Sequence, residues 1–334
     1  MNILVVGGFD RKEDKNVADV EDFCAALGRQ IVLQGHCLIS GCQSELDALV
    51  AKSAYEQLQA DGEKEIGKRI VGYSLKGQTP VHTCGKIISS RLSSWDPGAG
   101  RSYIPEPIQR ADVVILIRGF GGTYRAAHWA MIAKKPVLPI ANFGGAARDE
   151  YDRALDDFDN RYGSRIEKIE FEELNAIDTN WDSRAQSIVS LAQKAATSKC
   201  VLTIMSYSKT GEAATELDNV FESFQMVCKE FGYICTRVDE VNTMGRILPK
   251  IIREIELAAF VIADLTELKQ NVFYELGYAE GHKKPVVVTA KEGTQLPFDV
   301  KDIPTVFWRP IDLMGLRSEL RIKIKNIADA QGRS

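Results

Sequence analysis

No apolar run in this 334-residue chain approaches the roughly 20 residues that a membrane-spanning helix needs, so no membrane partner is expected. The N-terminus, Met1-Asn2-Ile3-Leu4-Val5-Val6-Gly7-Gly8, lacks a basic segment ahead of a long apolar one, which argues against a secretory leader and for a cytoplasmic protein. An excess of positive charge is missing as well. Lys and Arg number 42 against 46 Asp and Glu, a formal net charge of −4, so there is no basic field to hold DNA or RNA. Cysteine spacing is uninformative: the seven cysteines (24, 37, 42, 84, 200, 228 and 235) are odd in number, scattered, and form no CxxC or other metal-ligand pattern. They read as reduced thiols, Cys37 and Cys42 flanking a loop. The four histidines, His36, His82, His128 and His282, show neither metal nor triad spacing, so no metal is expected.

What is present is an ordinary globular composition, 45% hydrophobic and 26% charged, at a length that suits two domains. Short β-rich runs alternate with helical patterns. This predicts an α/β fold of two Rossmann-like domains, each a mostly parallel sheet flanked by helices. In the first half the strands are expected at Ile3–Val6, Cys37–Ser40, Ile70–Tyr73, Val113–Ile117 and Pro136–Ile140. Arg148–Ser198 reads as helical and polar with one apolar interruption near Ile166–Phe171. The domains are expected at 1–196 and 197–334. In the second, strands are expected at Val201–Met205, Tyr233–Val238, Phe260–Ala263 and Pro285–Thr289. Helices are expected at Ala213–Phe231, at Ile247–Leu257, from Val272 and in the tail after Arg317. Leu217, Val220, Phe221, Phe224, Val227 and Phe231 share one face of the first of these.

Every expected strand of the first half runs into Gly or Ser, and open α/β sheets bind ligands at that edge. Arg118-Gly119-Phe120-Gly121-Gly122-Thr123 follows a strand and opens a helix, where free amides and the helix dipole make an anion cradle. Gly8, Gly41, Asn142 and Gly144 belong to the same edge. Arg118 is a candidate phosphate ligand or a strand-end residue paired with a carboxylate; Arg91 is a weaker candidate. Trp95 and Trp129 are candidates to stack on a base or to fill a core. Together these residues resemble the SLOG superfamily (the Smf/DprA and LOG proteins, and STALD-type sensors) over about residues 1–195. LOG enzymes carry a Glu three residues after the motif's Thr, which serves hydrolysis of nucleotide monophosphates. Here that position is Ala126, so the resemblance implies binding rather than turnover.

In the second half Ala263-Asp264-Leu265-Thr266 leaves a strand, and Asn271-Val272-Phe273-Tyr274-Glu275-Leu276-Gly277-Tyr278-Ala279 follows. Asn271 and Glu275 lie four apart on a helix, and the helix dipole is expected to keep Glu275 ionised. Gly277 and Ala279 are expected to let a ligand or a neighbouring strand come close. An ionised carboxylate at this edge suits attack on an anomeric carbon; the plainer reading is a Glu that caps the helix and an Asp that ends a strand. Arg237 and Asp239 could take a phosphate and a ribose hydroxyl, or form a surface ion pair. Ser206 and Ser208 are pocket hydroxyls or helix caps.

Residues 199–310 resemble the nucleoside 2-deoxyribosyltransferase-like family, related in fold to TIR domains. The matching parts are the Asp264 strand end, the Asn271–Ala279 run, Lys284-Pro285-Val286-Val287, Leu296-Pro297-Phe298-Asp299 and Thr236-Arg237-Val238-Asp239-Glu240. The resemblance implies that Glu275 is the nucleophile or stabilises the ribosyl cation; Asp264 is the second candidate catalytic residue, expected to touch the ligand, and Asn271 is a candidate substrate-binding residue. Two departures bear on the substrate. Met205-Ser206-Tyr207-Ser208 stands where many relatives have Met-Pro-Phe-Ser, and Lys269-Gln270-Asn271-Val272 stands where deoxyribosyltransferases have Asp-Ser-Gly-Thr. Hydrolysis of a better leaving group, such as the nicotinamide of NAD⁺, is then expected over nucleobase exchange. Nicotinamide leaves as a neutral molecule and needs no general acid.

The two resemblances in this order look like the sensor–effector fusions of bacterial antiphage systems. They imply an oligomer that responds to a small nucleotide signal, a cyclic nucleotide or an ADP-ribose derivative, with no bound cofactor and with NAD⁺ as substrate. Two rival readings stay open at this point. One is a non-catalytic nucleotide binder acting through a partner; the other is a metabolic N-glycosidase or deoxyribosyltransferase.

Overall fold

The computed structural model describes residues 1–14, 16–95, 103–162, 165–177, 180–196, 200–206, 212–237 and 247–330, with the backbone alone for 212–214 and 247–250. The chain divides into two compact units, Met1–Ala196 and Thr197–Ser334.

The first unit is built on β1 (Asn2–Gly8), β2 (Cys37–Ser40), β3 (Ile70–Ser74), β4 (Lys86–Ser89), β5 (Val113–Arg118) and β6 (Val137–Ile140). They form one sheet in the order β4-β3-β2-β1-β5-β6, and every neighbouring pair is parallel. Around it pack α1 (Val17–Leu33), α2 (Glu45–Ala60), α3 (Ile66–Arg69), α4 (Glu106–Arg110), α5 (Gly121–Ile132), α6 (Gly145–Asp156), α7 (Phe158–Tyr162), α8 (Lys168–Glu172) and α9 (Trp181–Ala196). Strand β5 shows why its sequence is apolar without alternation. Val113, Ile115 and Ile117 join the core beneath α1 and α9, with Phe23, Leu27 and Ile188. Val114 and Leu116 join the opposite core, with Ala127 and Ala130 of α5. A strand covered on both faces needs apolar residues at every position.

The second unit has β7 (Cys200–Ile204), β8 (Ile234–Arg237), β9 (Phe260–Asp264), β10 (Val286–Lys291) and β11 (Thr305–Trp308). Their order is β11-β10-β9-β7-β8, again parallel throughout. The helices are α10 (Glu212–Glu230), α11 (Ile247–Leu257), α12 (Gln270–Gly281) and α13 (Leu313–Ala330). The apolar face of α10, Leu217, Val220, Phe221, Phe224 and Val227, is buried with α13 on one side of the sheet, and Phe231 packs against the same core. Ile251, Ile255, Val272, Leu276 and Ala279 of α11 and α12 cover the other side. Each unit is therefore an α/β layer structure with a parallel sheet inside.

Two strands lie outside the sequence expectation, β4 and β11, and both are sheet edges. Pro136 stands just before β6 rather than in it, and its carbonyl accepts the Val114 amide at 3.0 Å. Among the described residues no helix is long and apolar enough to cross a membrane, and no group of three or more His, Cys, Asp or Glu could hold a metal ion.

Candidate functional site

The strand order creates the first site. From β1 the chain steps outward through β2, β3 and β4, then crosses back to β5 on the other side of β1. The loops leaving β1 and β5 diverge in opposite directions, and a crevice opens at their C-terminal ends. It is a cavity of about 550 Å³, a size typical of small-molecule sites.

Glycine makes this edge. A Cβ on Gly7 would overlap the Ile117 carbonyl oxygen, so β1 and β5 reach their spacing only without one. Gly119 has φ +77°, and a Cβ there would overlap the side chain of Thr123. This left-handed residue turns β5 into α5. The amides of Gly121 and Gly122 then fall in the first turn of α5, where no preceding carbonyl can accept them. A side chain on Gly122 would meet nothing within 4 Å, because the space beyond it is the cavity. Arg125 lines the cavity too, its Nε donating to the Gly121 carbonyl at 3.3 Å, which sets a guanidinium beside the free amides. The walls are apolar, with Leu75, Pro107, Ile108, Trp95 and Trp129 among them. Trp129 Nε1 donates to the Trp95 carbonyl at 3.1 Å and ties that loop to α5.

Gly8, Gly41, Gly122 and Thr123 line this cavity together, as does Ala126. Gly119 and Gly121 shape the turn beneath them. Arg118, Asn142 and Gly144 gather in a second cluster at the β5–β6 edge. The Arg118 guanidinium pairs with Asp14 and donates from Nη1 to the Phe143 carbonyl at 2.7 Å. Gly144 sits against that Nη1, and Asn142 Oδ1 is buried without a partner among the described residues. Arg91 is exposed; its amide donates to Glu106 at 3.1 Å.

Like Arg125, Asp47 lines the cavity and has no place in the sequence reading. Asp47 is 6% exposed and sits at the third position of α2. Its Oδ2 accepts the amides of Gln43 at 2.7 Å and Ser44 at 3.1 Å, while the Asp47 amide donates to Ser44 Oγ at 3.1 Å, a reciprocal capping box. Burial pushes its carboxyl up to about 6 against the pull of these bonds. The available signal was Ser44-x-x-Asp47 directly after the strand that ends at Gly41.

The second unit has the same kind of switch, between β7 and β9. The Ser206 hydroxyl donates to Glu267 there. Asp264 ends β9 and is 2% exposed. It accepts the Thr266 amide at 3.1 Å, Thr289 Oγ1 at 2.7 Å and Trp308 Nε1 at 2.9 Å, so it clamps β9, β10 and β11 together. Burial raises its pKa, and these bonds oppose the rise. Arg237 is buried, donates to Asp218 at 2.8 Å and lies 4.9 Å over the Phe221 ring. Ser208 and Asp239 lie outside the described residues.

Glu275 is 5% exposed on α12 and has no hydrogen-bond or ion-pair partner among the described residues. Its electrostatics differ from the expectation of a carboxylate kept ionised by the helix dipole. The helix starts at Gln270, which places Glu275 beyond the first turn, where the dipole's influence has faded. Burial dominates and pushes its carboxyl up to about 7. Asn271, one turn earlier, is exposed. Gly277 is exposed as well, with no protein atom within 4 Å of where its side chain would be, so no neighbouring strand approaches it; Ala279 is the small residue packed in the core.

In sequence the chain matches no protein-family profile and no curated protein. Among the solved structures that are similar in part are the following two. A structural-genomics target, TM1055, is 22% identical over 45% of this chain and 80% of its own, with a TM-score of 0.37. The molybdenum cofactor carrier protein of Chlamydomonas reinhardtii is 21% identical over 41% of this chain and 73% of its own, with a TM-score of 0.31. At these values the likeness carries no functional assignment.

Proposed function

We propose that the first unit binds a nucleotide signal and that the second cleaves an N-glycosidic bond, with NAD⁺ as its substrate, in the manner of an antiphage effector. The observation that carries the reading is Glu275, a buried carboxyl without a partner on the helix that follows the switch strand β9. An unpaired buried carboxyl costs stability unless something offsets it. A cationic ribosyl centre is such a partner, because positive charge beside a carboxylate lowers its pKa and favours the ionised form. NAD⁺ brings a pyridinium cation on C1 of the ribose. As the C–N bond breaks, its electron pair leaves with nicotinamide, positive charge moves to the sugar, and Glu275 stabilises or captures it. Water then adds, giving ADP-ribose and a proton. Asp264 is a positioning residue in this scheme: it fixes the ends of β9, β10 and β11 below the site.

The cavity of the first unit supports the signal half of the proposal. Free amides and a guanidinium suit a phosphate, and apolar walls with two tryptophans suit a base. Ala126 lines that cavity where the resembled enzymes carry their catalytic Glu. The test is to incubate the purified full chain with NAD⁺, alone and with a panel of cyclic nucleotides and ADP-ribose derivatives, and to separate the products by chromatography. The expected products are nicotinamide and ADP-ribose, with one nucleotide of the panel raising the rate. Intact NAD⁺ across the whole panel would contradict the proposal.

A further inference from the structure

The cavity of the first unit has a polar corner that the phosphate cradle does not use. At Gly41, just past β2, the missing side chain points toward two polar atoms, Asp47 Oδ2 and Trp95 Nε1, each 3.9 Å from where a Cβ would stand. All three residues line the cavity. Both amide bonds to Asp47 go to Oδ2, which leaves Oδ1 with no amide partner among the described residues. Trp95 Nε1 likewise has no partner among them. A carboxylate only accepts and an indole N–H only donates. The corner therefore holds a carboxylate with remaining acceptor capacity and an indole N–H donor, both close to the one point that a Gly41 side chain would occupy, at the foot of an apolar wall.

Strand β1 lies between β2 and β5, so two strand spacings, roughly 10 Å, separate this corner from the amides of α5. A nucleoside monophosphate has about this reach between its phosphate and the far edge of its base. We infer that the Gly41 corner reads an amidine-type base edge, a ring amine beside an unprotonated ring nitrogen, with Asp47 accepting from the amine and Trp95 Nε1 donating to the nitrogen. Adenine and cytosine present that edge. Hypoxanthine and uracil present its reverse, a carbonyl beside an N–H, which sets acceptor against acceptor and donor against donor.

This inference rests on the reading of the first unit as a nucleotide binder, and one experiment separates the two. Calorimetry measures AMP, CMP, IMP and UMP binding to the full chain, to Gly122→Glu, to Asp47→Asn and to Trp95→Phe. Asp47→Asn preserves the helix cap, because the Asn carbonyl oxygen can still accept the Gln43 and Ser44 amides; that turns its NH₂ into the cavity where an acceptor stood. Wild type should prefer AMP to IMP, or CMP to UMP, by about tenfold or more. Asp47→Asn should bring the preference to parity or reverse it, with a melting temperature near that of wild type. Trp95→Phe keeps a ring in the wall and should weaken the amino-edge nucleotide several-fold, so the inference stays testable if Asp47→Asn misfolds. If none of the four nucleotides binds wild type, the nucleotide reading fails and takes this one with it. If they bind and Gly122→Glu abolishes binding, but amino and keto bases bind alike or the Asp47 and Trp95 variants leave the ratios unchanged, only the corner's role is overturned.

Discussion

Glu275 and Asp264 are both buried carboxyls of the second unit, yet their surroundings differ. Asp264 has its acceptor positions filled by Thr266, Thr289 and Trp308. Asp264→Ala would strand those donors in the core and should cost about 3 kcal/mol or more, read from denaturant unfolding. Glu275 is buried without such partners. Its folded pKa of about 7 exceeds the unfolded value of about 4.3, so the folded state favours the protonated form. The associated stability is complete below the unfolded value and is lost as pH rises through about 7. Glu275→Gln removes this dependence. It should melt close to wild type at pH 5 and be more stable at pH 8, by about 1–2 kcal/mol. A loss of stability at pH 8 would show that the charged form makes structural bonds. Activity should follow the opposite limb: with the ionised form reactive, kcat/KM should rise with pH through about 7.

At this scale the sequence placed Glu275 and Asp264 on their helix and strand but did not show their electrostatic states. Glu275 is placed by its helix, but its protonation depends on neighbours from distant parts of the chain. The three donors around Asp264 illustrate this, since Thr289 and Trp308 are 25 and 44 residues away. Asp47 was hidden for a related reason: a capping box is a common helix start, and only the folded sheet shows that this one borders a cavity.

Among the elements, α5 is the one on which the proposed nucleotide binding depends. Its start requires Gly119 in the left-handed region, and its second residue, Gly122, faces the cavity. Gly122→Glu should abolish nucleotide binding by filling the cradle and adding like charge. Gly122→Ala should bind within a few-fold of wild type, because a methyl group there meets nothing. Unchanged binding by Gly122→Glu in calorimetry would show that the phosphate sits elsewhere. The interior strands were legible because continuous apolar runs such as Val113–Ile117 are what a doubly covered parallel strand needs. Two of the four edge strands, β4 and β11, were not. Lys86-Ile87-Ile88-Ser89 and Thr305-Val306-Phe307-Trp308 are four residues each; the first has no fully buried residue, and the second buries only Val306 and Trp308. Runs so short carry too little periodicity to stand out from a loop. Without β11 in view, the Trp308 bond to Asp264 could not be anticipated.

For the whole molecule, two parallel sheets, each with a switch point, supply two candidate sites of different character. The first is lined by glycine, tryptophan and an arginine beside free helix amides, which suits the recognition proposed for it. The second holds an unpaired buried carboxyl, which suits chemistry on a cationic centre. The division of labour stands or falls with Glu275, and the most direct measurement is nicotinamide release from NAD⁺ by wild type and by Glu275→Gln. Both are saturated with the nucleotide that activates wild type, beside a thermal melt of each. The account predicts a variant that melts at or above wild type at pH 8 and turns over at least roughly 10³-fold more slowly, about 4 kcal/mol of barrier. A folded Glu275→Gln protein that releases nicotinamide within a few-fold of wild type would contradict it.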